Sequence, residues 1–117
     1  MPCLNIYPVV STFKQKGANM AVKVLIKRTV PEEKARKIIP LFRKMRSLAT
    51  GQRGYISGET LKSLDRPNIF LVISNWRSSD DWGDWLLSKE RQEIQNEIDS
   101  LLGGNTEYEM FHYGFTE

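Results

Sequence analysis

The chain has 117 residues, 40% hydrophobic and 26% charged, a size and balance that suit one packed domain and exclude both a disordered segment and a multidomain enzyme. The formal charge is +3, but acidic and basic residues are interspersed, so no one-sign field develops and nucleic-acid binding is not expected. A single cysteine, Cys3, rules out an intrachain disulfide; no apolar run approaches a membrane span, and the start lacks the basic and apolar regions of a secretory signal. These features read as a cytoplasmic protein, with Cys3 a bystander.

Residues 1–19 stand apart as an N-terminal preface, either an upstream extension with Met20 opening the regular pattern or an arm against a partner subunit. Residues 20–117 form the domain proper. The run V-K-V-L-I-K-R at 22–28 predicts a first strand with protein on both faces. Pro31, Glu32 and Glu33 then suit a helix start, and Ala35, Ile38, Ile39, Phe42, Met45 and Ala49 recur at helical spacing. Lys34, Arg36, Lys37, Arg43, Lys44 and Arg46 make the wet face of that helix, the competing reading being a phosphate-binding stripe. Pro40 falls in its interior and predicts a kink over 36–40.

Gly51 and Gly54 mark the exit, and 55–61 predicts a second strand in which Gly58 marks a bulge or a close approach. The turn residues Asp65, Arg66, Pro67 and Asn68 lead into 69–76, the strongest strand of the chain, so the two should form a hairpin. Ser78 or Ser79 can cap the next helix, Ser88 offers a second cap, and Ile94, Ile98, Leu101 and Leu102 extend an apolar stripe to Gly103 and Gly104. A short helix, a bend and a longer helix are predicted. Residues 106–115 read as the last strand, in which Tyr108, Met110 and His112 share one side and Phe111, Tyr113 and Phe115 the other.

The order βαββαβ gives an α+β ferredoxin-like fold: a four-stranded antiparallel sheet with its helices on one face. The opposite face would leave apolar side chains exposed, so a homodimer with sheet packed on sheet is expected.

The element order, the stretch 54–61 (Gly-Tyr-Ile-Ser-Gly-Glu-Thr-Leu), the turn 65–68 and the run 73–82 leading into Trp85, Leu86, Leu87 and Ser88 resemble the antibiotic biosynthesis monooxygenase-like family, whose members form dimeric α+β barrels. The resemblance spans about residues 20–115 and implies oxygenation of a small electron-rich aromatic, such as a quinol or anthrone, without metal or flavin. It makes His112 and Asn75 candidate catalytic residues, with Trp76, Trp82, Trp85, Tyr55 and Tyr113 candidate substrate-binding residues. His112 is the sole histidine, hence the natural proton acceptor near neutrality. Each also has a plainer role, the tryptophans as core and His112 as a strand residue.

The haem-degrading branch of the family is similar around Trp76 and 85–88, but its haem-ligating histidine would fall on Gln95 and its active-site asparagine on Ile26. The resemblance therefore implies no haem degradation. One histidine and one distant cysteine cannot build a tetrahedral metal site, and no phosphate loop or serine nucleophile motif is present. The rival to an oxygenase is a non-catalytic dimeric module that binds a small apolar or aromatic molecule or serves as an interaction scaffold.

Overall fold

A computed structural model describes residues 20–104 and 106–113. The elements run β1 (Val22–Thr29), α1 (Glu32–Ala49), β2 (Tyr55–Lys62), β3 (Ile69–Trp76), α2 (Ser79–Leu87), α3 (Lys89–Leu102) and β4 (Thr106–His112). The strands make one antiparallel sheet in the order β2-β3-β1-β4, the α+β ferredoxin-like arrangement expected from the sequence. The preface, residues 1–19, and residue 115, expected in the last strand, lie outside the described residues.

Strand alternation decides which side chains face the helices. In β1 the buried set is Val22, Val24, Ile26 and Arg28, and the register places Trp76, Ser74, Val72 and Phe70 of β3 opposite them. Across the other edge the same residues face His112, Met110, Tyr108 and Thr106 of β4. His112 thus lies on the helix-facing side of the sheet. The core joins Val22, Val24 and Ile26 to Trp76, Trp82, Trp85, Leu86, Ile94 and Ile98. Full burial of a large apolar side chain contributes about 1.5–3 kcal/mol, so these residues carry much of the fold.

The helices are set by their ends. Ser78 accepts from the Asp81 amide at 3.1 Å and starts α2. Ser88 ends α2, then accepts from the Arg91 amide at 3.2 Å as the first residue of the next cap, so one serine serves both helices. Gly103, at φ 83°, closes α3 in the left-handed region that glycine enters without a Cβ penalty. The Lys34 ammonium donates to the Leu101 carbonyl at 2.6 Å, placing a cation at the C-terminal end of α3 and tying it to α1. Helix α1 is a single span through Pro40, whose ring is exposed and which offers no amide to the Arg36 carbonyl.

The bulge in β2 falls between Tyr55 and Ser57, ahead of Gly58. Gly58 is instead the point of close approach: a Cβ there would lie 2.6 Å from the Tyr55 hydroxyl. Gly54 has φ 84° and abuts the Asp81 side chain, and its carbonyl accepts from the Arg77 amide at 2.8 Å, which locks the entry to β2 onto the end of β3.

The face of the sheet away from the helices carries Leu25, Leu71 and Ile73, all half-buried, with Leu61 and Phe111 exposed near them. Ile73, in the strongest strand of the chain, is covered on this side only partly within one chain.

Candidate functional site

A cavity opens between the sheet and the helices, walled by Ile26, Val72, Ser74 and Trp76 of the sheet, Phe42 and Met45 of α1, Tyr55 of β2, and Trp82 and Trp85 of α2. Its volume is about 50 Å³, enough for a few water molecules, and all the space between the walls, including the open mouth, is about 520 Å³. The lining is aromatic because four elements converge there, α1 with Phe42, β2 with Tyr55, β3 with Trp76 and α2 with Trp82 and Trp85. Tyr55 meets Trp76 edge-on at 5.4 Å between centroids, Trp76 meets Trp82 at 5.7 Å, and Trp82 leans on Tyr108 at 6.3 Å. The Trp76 indole donates to the Ser74 hydroxyl at 3.0 Å, which fixes its ring plane.

Two arginines form the polar part of this lining. Arg28, at the end of the buried stripe of β1, is 2% exposed, and Arg91, in the first turns of α3, is 1% exposed. Arg28 donates from Nη2 to the Gln95 amide oxygen at 2.8 Å and stacks over Phe42 at 5.0 Å. Gln95 passes the contact on, donating to Asp99 at 2.7 Å and to Thr106 at 3.1 Å. Arg91 donates from Nη2 to the Tyr108 hydroxyl at 3.1 Å and stacks against Trp82 and Tyr108 at 5.4 and 5.3 Å. Burial holds the Arg28 guanidinium below its ordinary value, at about 10, with Arg91 adding to the effect and Tyr108 and Asp99 opposing it. At the mouth, Arg46 donates to the Gly58 carbonyl, linking α1 to β2.

Of the residues singled out from the sequence, Trp76, Trp82, Trp85 and Tyr55 come together around this cavity. Asn75 and Tyr113 are placed elsewhere: the Tyr113 hydroxyl donates to the Asn75 side chain at 2.8 Å, and Asn75 donates to Ser57 at 3.0 Å, on the far face of the sheet. His112 borders a separate hollow with Val22, Ser79, Met110 and Phe111. Arg28 and Arg91 were not singled out. The signal was present in both cases, since Arg28 continues the alternation Val22, Val24, Ile26, and Arg91 lies three and seven residues before Ile94 and Ile98, on the apolar stripe of its helix.

Ile26 lines the cavity, and Gln95 holds Arg28 beside it. Among the described residues no cluster of His, Cys, Asp and Glu could hold a metal ion, and no helix is long and apolar enough to cross a membrane.

The profile of the family described as antibiotic biosynthesis monooxygenase matches residues 21–97. No curated protein sequence matches the chain significantly. Among solved structures, SnoaB of Streptomyces nogalater, a cofactor-independent oxygenase, is similar with a TM-score of 0.72 at 19% identity, over 82% of this chain and 95% of that one. A conserved protein from Methanosarcina mazei Go1 gives 0.73 at 20% identity, over 80% and 92%. A protein of unknown function from Bacteroides thetaiotaomicron VPI-5482 gives 0.74 at 18% identity, over 82% and 100%. At these identities the likeness establishes the fold.

Proposed function

Since the chain belongs to the antibiotic biosynthesis monooxygenase family, we propose that it oxygenates a small electron-rich aromatic of the quinol or anthrone kind, without metal or flavin, in the cavity between sheet and helices. The observation that carries this reading is the aromatic wall of Tyr55, Trp76, Trp82 and Trp85 beside buried cationic donors. Such a reaction asks the protein for a dry cavity, a means of forming the substrate anion and donors for developing charge. The aromatic rings exclude water and orient a flat substrate; the guanidiniums supply donors in a site where screening by water is weak. The similarity to SnoaB supports the same reading at the level of fold.

The protein acts as a cytoplasmic homodimer in this proposal. The half-covered Leu25, Leu71 and Ile73 on the far face of the sheet supply a self-complementary apolar surface, and Asn75 and Tyr113 lie on that face.

Oxygen uptake is the test, using hydroquinones and anthrones with no added flavin or metal. The wild type should consume oxygen, and Trp76→Phe should slow it about tenfold, the loss of roughly 1.4 kcal/mol of orientation. His112→Ala measures whether the histidine accepts the substrate proton: a large fall in rate assigns it that role, and a wild-type rate removes it. The share of the cavity occupied by the Trp76, Trp82 and Trp85 side chains favours a second reading, a non-catalytic binding module, which ligand binding without uptake would support.

A further inference from the structure

We propose that Arg28 and Arg91 together form an oxyanion-binding floor, which takes the ionised oxygen of a planar aromatic ligand whose ring lies against the aromatic wall. The inference rests on the reading of this cavity as the ligand site, and not on oxygenation.

A buried guanidinium ordinarily has a carboxylate partner, because the charge is costly to desolvate and its five N–H groups need acceptors. Here two guanidiniums are buried in one cavity lining, near enough for Arg91 to act on the ionisation of Arg28, and among the described residues neither is paired with a carboxylate. Their protein acceptors are all neutral: the Gln95 amide oxygen and the Met45 thioether sulfur for Arg28, and the Tyr108 hydroxyl for Arg91. Arg28 Nε, Arg91 Nε and Arg91 Nη1 have no hydrogen-bond acceptor among the described residues. Stacking on Phe42, Trp82 and Tyr108 fixes the two planes but satisfies no N–H.

Charge around the floor leaves the deficit standing. Arg46 and Glu59 lie among the lining at the mouth; Asp99 connects to Arg28 by hydrogen bonds only through Gln95, and its charge offsets the effect of burial only in part. Two like charges in a low-dielectric site raise each other's cost, and the group that relieves both is a shared anion. The walls narrow its class. Tyr55, Trp76 and Trp82 suit a flat ring, so the anion is a phenolate, an enolate or an aromatic carboxylate in preference to a bare inorganic ion.

The test uses 4-nitrophenol, whose ionised form absorbs visible light and whose neutral form does not. Bound to the wild-type protein it should ionise about 1–3 pH units below the free dye, the usual effect of an adjacent opposite charge. Arg91→Met should remove most of the shift, Arg91→Lys should keep part of it, and circular dichroism should show both folded. If Arg91→Met fails to fold, Arg28→Met takes its place.

A second arm needs no variant. Benzoate should displace the dye at least roughly tenfold better than neutral benzyl alcohol, as expected where a charge-assisted bond is added, and inorganic phosphate should compete poorly. An unshifted or upward ionisation, a shift unchanged in Arg91→Met, equal competition by benzyl alcohol, stronger competition by phosphate, or no binding by the wild type would each overturn the proposal. Oxygen uptake without a dye shift would sink the oxyanion floor and leave the oxygenase reading; a shift without uptake would do the reverse.

Discussion

Replacing Arg28 with methionine should leave the fold close to its original stability, which is not the ordinary result for a buried arginine. The lowering of its ionisation from the ordinary arginine value to about 10, caused first by desolvation, corresponds to roughly 3 kcal/mol of bias against the charged form in the folded protein. Methionine removes that penalty and fills much of the same space. Against the gain stand the bond to Gln95 at 2.8 Å, whose loss leaves an acceptor short by about 1–3 kcal/mol, and the stacking on Phe42, worth about 1 kcal/mol. The balance falls within about 1–2 kcal/mol of zero, whereas removing one member of a buried ion pair costs about 3–5 kcal/mol. Urea unfolding at pH 7, followed by tryptophan fluorescence, measures the difference.

The pH dependence gives a second check. Because the folded-state value is the lower one, the unfolded chain holds more protons from about pH 10 up to the ordinary arginine range, and this group's contribution to stability rises with pH across that window. Wild type should therefore gain on Arg28→Met as the pH is raised through about 10. A loss above about 3 kcal/mol at neutral pH would refute the reasoning, since it would mean that the guanidinium is already fully paired within the protein.

Ile73→Asp puts a charge on the half-covered face of the sheet, opposite Leu25, and should weaken self-association by at least about 3 kcal/mol, roughly a hundredfold in Kd. Sedimentation velocity would read this, with Lys44→Asp on the exposed side of α1 as the control expected to change stability by less than about 0.5 kcal/mol; a wild type that sediments as a monomer at micromolar concentration defeats the dimer. Haem should bind weakly and without a histidine-ligated spectrum, because Gln95 occupies the corresponding helix position and is engaged with Arg28. A Soret titration giving a tight complex, bleached with reductant and oxygen, would contradict this.

The element order was legible because each segment carries its own punctuation: Ser78 and Ser88 cap as the sequence suggested, and the hairpin turn closes with Ser63 accepting from the Arg66 amide at 3.0 Å. The aromatic wall was legible too, since Trp76 ends a strand and Trp82 and Trp85 recur on one helix. Arg28 and Arg91 are hard to read from sequence because charge in a helix or at a strand end is usually a solvated face. For α1 that reading holds at Arg36, Lys37, Arg43 and Lys44, which are exposed, whereas Lys34 is half-buried against the Leu101 carbonyl and Arg46 bonds to Gly58 at the cavity mouth. For Arg28 it fails: strand periodicity points the side chain inward, and only the three-dimensional meeting with Gln95 and Phe42 gives it a place. The separation of Asn75 from Trp76 follows from the same alternation, because neighbours in a strand face opposite ways.

The shared cap at Ser88 has a geometric consequence for the pocket. In an unbroken helix, at about 100° per residue, the nine steps from Trp82 to Arg91 would turn the guanidinium about half a revolution away from the indole. The extended backbone of Ser88, at ψ 147°, resets that phase, so that Arg91 lies 5.4 Å over the Trp82 ring. The joint therefore works as an index between two toothed wheels: α2 delivers the ring-binding surface, α3 the cationic one, and Ser88 fixes which teeth meet. A residue inserted beside it would leave both helices amphipathic, yet turn the whole buried stripe of α3, Ile94 and Ile98 together with Arg91, out of register with the aromatic wall.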